Sequence, residues 1–132
     1  MAVKARVSDW FVLIKEDLKT AKVSLRENIF SSSCFHAQQV AEKSLKMLMA
    51  HQGREILKSH DLLFLLEKTI KLYPSLAKFK KDLQFLNQFY LPTRYPEVLP
   101  GNLPEGLPKR EDATKAFKIA DLLVSFIEKI LE

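Results

Sequence analysis

Residues 113–131, ATKAFKIADLLVSFIEKIL, decide the fold class. Ala113, Ala116, Phe117, Ala120, Val124, Ile127 and Leu131 recur at spacings of three and four, which gathers them on one face of a helix. Glu111 and Asp112 fall in its first turn, where the helix dipole favours negative charge.

The same period appears in four segments upstream. The first is expected to start near Ser8 or Asp9, either able to cap a helix, and to run to about Asn28, with Phe11, Ile14, Leu18, Ala21 and Leu25 on one face. Lys15, Lys19, Lys22 and Arg26 fall opposite. Ser31, Ser32 and Ser33 offer N-caps for a second helix carrying Phe35, Val40 or Ala41, Leu45, Leu48 and Met49, which ends at Gly53. These two helices form an antiparallel hairpin. Ser59 is the expected cap of a third helix through Leu62, Leu63, Leu65, Leu66 and Ile70, stopped by Pro74. A fourth runs from about Ser75 to Tyr90 with Leu76, Phe79, Leu83, Leu86 and Phe89 or Tyr90 along one stripe.

Between the fourth and fifth helices, residues 91–110 hold Pro92, Pro96, Pro100, Pro104 and Pro108. Regularly missing backbone donors mark an irregular loop. A structureless loop of that length inside a small domain is the first place to look for a function. The expected architecture is therefore all-α: an up-and-down bundle of five helices, a four-helix core plus an extra helix, in a single domain over residues 1–132.

Composition agrees. Hydrophobic residues make up 47% and charged residues 28%, ordinary for a globular chain, and three glycines are too few for a turn-rich β protein. The net charge of +5 suits an anionic partner, but the positive residues are interspersed with acidic ones along the helices, as on a solvated surface. Cys34 is the only cysteine, which excludes an intramolecular disulfide and a cysteine-based metal site within one chain. The N-terminus lacks an apolar leader core, since Lys15, Glu16 and Asp17 interrupt it, and no segment is apolar enough to cross a bilayer, so a cytoplasmic location is expected.

Catalytic spacings are scarce: there is no Gly-rich phosphate loop, HExxH or GxSxG. His36 and His51, 15 residues apart on the second helix, would sit about 22 Å apart along its axis, too far to share a metal. Two patterns remain. In the first, Arg94 stands between Tyr90 and Tyr95 and between Pro92 and Pro96. Arginine offers a planar pair of donors to phosphate and tyrosine a ring for stacking, so Tyr90, Arg94 and Tyr95 are candidate nucleotide contacts. The plain alternative is that Arg94 caps helix carbonyls while the tyrosines pack the loop. In the second pattern, Arg54 and His60 could stabilise phosphate charge and move a proton in metal-free RNA cleavage. The plain alternative is a helix-start histidine and an exposed arginine.

Three separated motifs add a family resemblance. Gln38, Gln39, Val40, Ala41, Glu42, Lys43, Ser44, Leu45 and Lys46 form the first. Ser59, His60, Asp61, Leu62 and Leu63 form the second, and Tyr90 with Thr93, Arg94, Tyr95 and Pro96 the third. In this order the chain resembles the HEPN domain family from about Asp9 to Leu131. The resemblance implies a bundle of four to five helices, commonly a homodimer, associated with nucleotide binding and paired with a minimal nucleotidyltransferase. Lys43 and Lys46 would then face a nucleotide or partner, unless they are ordinary surface lysines. Toxin members that resemble it are metal-independent ribonucleases built on a late arginine followed, after four to six residues, by a histidine. No histidine follows Arg94, and Arg54 with His60 meets that spacing at an earlier position.

The expectation is thus a binding module without a complete catalytic site, without metal or cofactor beyond a possible nucleotide, that engages a nucleotide or a nucleotidyltransferase in a toxin–antitoxin-type pair. The alternative is a toxin-like ribonuclease acting through Arg54 and His60, the one reading in which RNA is a partner.

Overall fold

The computed structural model describes residues 2–90 and 106–132, with side chains from residue 7 onward. Arg94 and Tyr95, with Thr93 and the prolines at 92, 96, 100 and 104, lie outside the described residues. Among the described residues five α-helices follow one another: α1 (Ala2–Arg26), α2 (Phe30–His51), α3 (Leu62–Thr69), α4 (Lys80–Asn87) and α5 (Arg110–Ile130). No strand occurs among the described residues.

The bundle is organised around α2, which packs against α1, α3, α4 and α5. It is accordingly buried nearly all round, with Ala37, Val40, Ala41, Leu45, Met47 and Leu48 fully buried on different faces and Gln38, Glu42 and Lys46 buried among them. Ile14 and Ala21 of α1, Leu62 and Leu65 of α3, Leu83 and Leu86 of α4, and Ala116, Ala120 and Leu123 of α5 close the core. Each fully buried leucine contributes about 1.5–3 kcal/mol.

The α1–α2 hairpin turns more tightly than its serines suggest. The Ile29 N–H reaches Ser24 O at 2.7 Å and the Asn28 N–H reaches Leu25 O at 3.1 Å, a Schellman termination with Asn28 left-handed at φ 62°. Helix α2 then begins at Phe30, capped by no side chain. The expected serine caps are instead spent across the hairpin: Ser33 Oγ donates to Ala21 O (2.8 Å) and Ser24 Oγ lies 3.0 Å from Ser32 Oγ. At its other end α2 stops at the expected glycine, with Gly53 at φ 68° and Arg54 N–H bonded to Met49 O.

Three further boundaries differ from the sequence expectation. Helix α1 starts at Ala2 rather than Ser8, because Ala2, Lys4, Ala5 and Arg6 are good helix formers that nothing interrupts. Asp61, two residues after Ser59, caps α3, accepting from the N–H groups of Leu63 (3.0 Å) and Phe64 (3.3 Å), while Ser59 Oγ accepts from Asp61 N–H. The expected fourth helix is split: Pro74–Phe79 forms a 3-10 turn before α4 begins at Lys80. Its apolar stripe survives, since Leu76, Leu83, Leu86 and Phe89 are all fully buried.

Candidate functional site

Polar side chains of α2 meet α1 on one side and the start of α3 on the other. Glu42 lies within the bundle at 5% exposure and is the hub. Its carboxylate accepts from Lys46 Nζ at 3.1 Å, from Gln39 Nε2 at 3.3 Å and, more weakly, from Gln38 Nε2 at 3.4 Å. His60 Nδ1 stands 3.0 and 3.1 Å from its two oxygens. A carboxylate only accepts, so this contact assigns the Nδ1 position a hydrogen and leaves Nε2 as the outward-facing nitrogen.

The His60 ring is stacked on Tyr90, with centroids 4.2 Å apart and planes 13° from parallel; Phe35 adds a tilted ring contact to Tyr90 at 6.0 Å. The backbone beneath His60 is fixed as well. Gln38 Nε2 donates to His60 O at 3.2 Å, and Asn87 of α4 accepts from Leu62 N–H while donating to Asp61. Residues from α2, the start of α3 and the end of α4 thus converge on one half-open histidine, whose side chain is 55% exposed.

A second cluster adjoins this one, with Lys43 next to Glu42 on α2. Asp17 of α1 accepts from Lys43 Nζ at 2.5 Å and lies 2.9 Å from His36 Nδ1. Burial pushes the Asp17 carboxyl up, but the hydrogen bonds from His36 and Lys43, together with their charge, outweigh it and hold the group below its ordinary value. Cys34 is buried elsewhere in the core. Burial, with the Asp112 charge adding to it, pushes its thiol up to about 12, far from nucleophilic use.

The structure brings Glu42, His60, Tyr90 and Lys46 together and leaves Arg54 apart, exposed in the α2–α3 loop with no ion pair among the described residues. Lys43 and Lys46 are engaged with internal carboxylates, with side chains 25% and 11% exposed, unlike ordinary surface lysines. His36 is partly covered and His51 exposed. Asp17 is the residue that periodicity passes over, although it sits three positions after Ile14 and four before Ala21 on the buried stripe of α1. Among the described residues no group of three or more His, Cys, Asp or Glu side chains could hold a metal, and no helix is long and apolar enough to cross a membrane.

A helical bundle with a buried carboxylate–lysine pair beneath a stacked histidine and tyrosine defines a small all-α module. The sequence matches the HEPN domain model over residues 7–130, and the chain belongs to that family. It is similar to the protein named "Putative toxin MJ1304" of Methanocaldococcus jannaschii, at 26% identity over 126 residues covering 89% of this chain and 83% of that one. Among solved structures it resembles TT1696 from Thermus thermophilus, with a TM-score of 0.81 at 28% identity over 94% of this chain and 97% of the other. ST0689, described as an archaeal HEPN homologue, gives a TM-score of 0.74 at 28% identity, covering 96% of this chain and 98% of that one.

Proposed function

We propose that this chain is the HEPN member of a toxin–antitoxin-type pair and works, as a homodimer, as a binding module. The face around His60 and Tyr90, continuing in sequence to Arg94 and Tyr95, receives a nucleotide or a minimal nucleotidyltransferase partner. The observation that carries this reading is the His60–Tyr90 stack, half-open to solvent and held from within by the buried Glu42–Lys46 pair. Such a shelf offers an aromatic edge and an outward imidazole nitrogen to a base, and Arg94 follows Tyr90 by four residues with the forked donors a phosphate needs. Lys43 and Lys46, engaged with Asp17 and Glu42, act indirectly by fixing α2. The toxin name of the M. jannaschii relative supports the pair assignment.

Calorimetry with ATP and a panel of nucleotides tests the binding reading. Tyr90→Ala and Arg94→Ala should each weaken the best ligand by about tenfold, the scale of one lost stacking or charged contact. An Arg94→Ala protein with wild-type affinity removes the phosphate contact.

One observation favours a second reading. Glu42 orients His60 as a carboxylate orients a general base, so Nε2 is positioned for proton transfer in metal-independent RNA cleavage. Arg54 is not paired into that site. Cleavage of RNA in EDTA that disappears in His60→Ala would replace the binding reading with this one.

A further inference from the structure

Helix α5 carries a broad apolar face whose margin reaches solvent. It faces the core through Ala113, Ala116, Ala120, Leu123 and Ile127. Along its edge lie Ile119, Leu122, Phe126 and Ile130; Ile119 is buried and Phe126 and Ile130 are half-buried against the core, but Leu122 is the most exposed large hydrophobic residue among those described, at 62%. A large apolar side chain that far out of the core, beside half-buried apolar neighbours, calls for an explanation.

This margin floors two grooves of about 660 and 570 Å³ between α5 and the segment from the 3-10 turn into α4. They meet at Asp82 and Leu122, which line both. Together they run from Arg110 to Ile130, roughly 30 Å of helix. Their rim carries Lys78, Lys115, Lys118, Lys129 and Arg110 against only Asp82 and Glu111. None of those five cations forms an ion pair among the described residues, whereas five other lysine and arginine residues, Lys15, Arg26, Lys43, Lys46 and Lys68, do. The grooves share no lining residue with the His60–Tyr90 face.

We infer that this outer face of α5 docks an acidic amphipathic helix of a partner protein, whose apolar side chains cover Leu122 and Ile130 while its carboxylates meet the five cations. The groove matches a helix in length and offers an apolar floor with a basic rim, the complement of an apolar stripe with acidic flanks. A second copy of this chain fits less well, because a two-fold contact would set the same excess of cations against itself. Single-stranded nucleic acid also fits less well. The Phe126 and Phe85 rings are each covered by a lysine ammonium 4.2 Å from the centroid, Lys78 and Lys115, rather than open for stacking.

The test is fluorescence anisotropy with the full chain and four labelled probes. These are a 20-residue amphipathic helical peptide with leucines on one face and glutamates beside them, the same peptide with lysines in place of the glutamates, a scrambled version of the acidic peptide, and a single-stranded RNA of equal length. The acidic amphipathic peptide should bind at least tenfold more tightly than each of the others. Leu122→Asp and Lys115→Glu/Lys118→Glu should each weaken it tenfold or more, with helical circular dichroism unchanged because all three side chains lie at the surface. His60→Ala should bind it as wild type does, which separates this surface from the face proposed above. Equal binding of the scrambled peptide would reduce the groove to a general charge effect, and RNA binding lost in the same variants would make it a nucleic-acid surface. Conversion of a dimer to a monomer by Leu122→Asp, seen by light scattering, would assign it to self-association. Each of these three results overturns the inference.

Discussion

His60 lies flat against Tyr90, 4.2 Å from centroid to centroid, although the two residues are 30 positions apart and on different elements. The stack ties the start of α3 to the end of α4. Its contribution to stability is that of one partly exposed ring pair, about 0.5–1.5 kcal/mol beyond area burial. Tyr90→Ala should lose about that amount in urea denaturation. Tyr90→Phe should lie within error of wild type, because the ring and not the hydroxyl makes the contact. Equal losses in the two variants would assign the effect to the hydroxyl instead.

Glu42 should be the costliest polar residue to remove. Glu42→Ala strands the Lys46 ammonium, whose side chain is 11% exposed, and deprives His60 and Gln39 of their shared acceptor. Breaking a buried ion pair from one side costs about 3–5 kcal/mol. The double variant Glu42→Leu/Lys46→Met should recover most of that loss, since it removes both charges and keeps the volume. Denaturant midpoints of the two singles and the double decide it. Additive losses would mean that the two charges are not coupled.

The bundle is legible in the sequence because its core obeys the helical period. Leu76, Leu83, Leu86, Ala116, Ala120 and Ile127 fall where spacing puts them, and Gly53 ends α2 with the positive φ its type suggests. What sequence alone cannot separate is competition among neighbouring polar groups for the same orphan donors. Ser59 and Asp61 can both cap α3, and the longer, charged Asp61 does so. Ser31 to Ser33 stand at a plausible helix start, but Ser32 and Ser33 have partners across the hairpin on α1, which only the packed structure supplies. The site is half legible. Tyr90, His60, Lys43 and Lys46 stand out individually, while of the carboxylates that organise them Asp17 is hidden as an acidic residue on an otherwise apolar face and Glu42 among the polar residues Gln38, Gln39 and Lys46 of α2. An ionisable residue on a buried stripe is itself the signal, because it persists there only with partners.

Acid should weaken the α1–α2 contact through Asp17. Its carboxyl is held below the ordinary value of 3.8 in the folded protein, so the unfolded chain takes up its proton first as pH falls. The stabilisation is therefore complete above that ordinary value and is lost as pH drops through the lower, folded one. Urea midpoints at pH 7, 5, 4 and 3 should fall most steeply at the acid end, and Asp17→Asn should be less stable at pH 7 with a shallower acid slope. Parallel profiles for the two proteins would show that other groups carry the pH dependence.

The two left-handed residues that end α1 and α2 predict opposite responses to substitution. Gly53 sits at φ 68° with nothing within 4 Å of the position a Cβ would occupy, so Gly53→Ala meets no clash and its cost isolates the backbone preference. That preference is about 1–2 kcal/mol against an L side chain in this region. Asn28, at φ 62°, already bears part of the penalty, and Asn28→Gly removes it. The gain is partly offset by the lost contact between Asn28 and Arg110 of α5. Gly53→Ala should therefore lower the thermal midpoint by several degrees, whereas Asn28→Gly should leave it nearly unchanged or slightly raised. If Asn28→Gly were instead as damaging as Gly53→Ala, the Arg110 contact would outweigh the backbone term, and Arg110→Ala should then reproduce the loss.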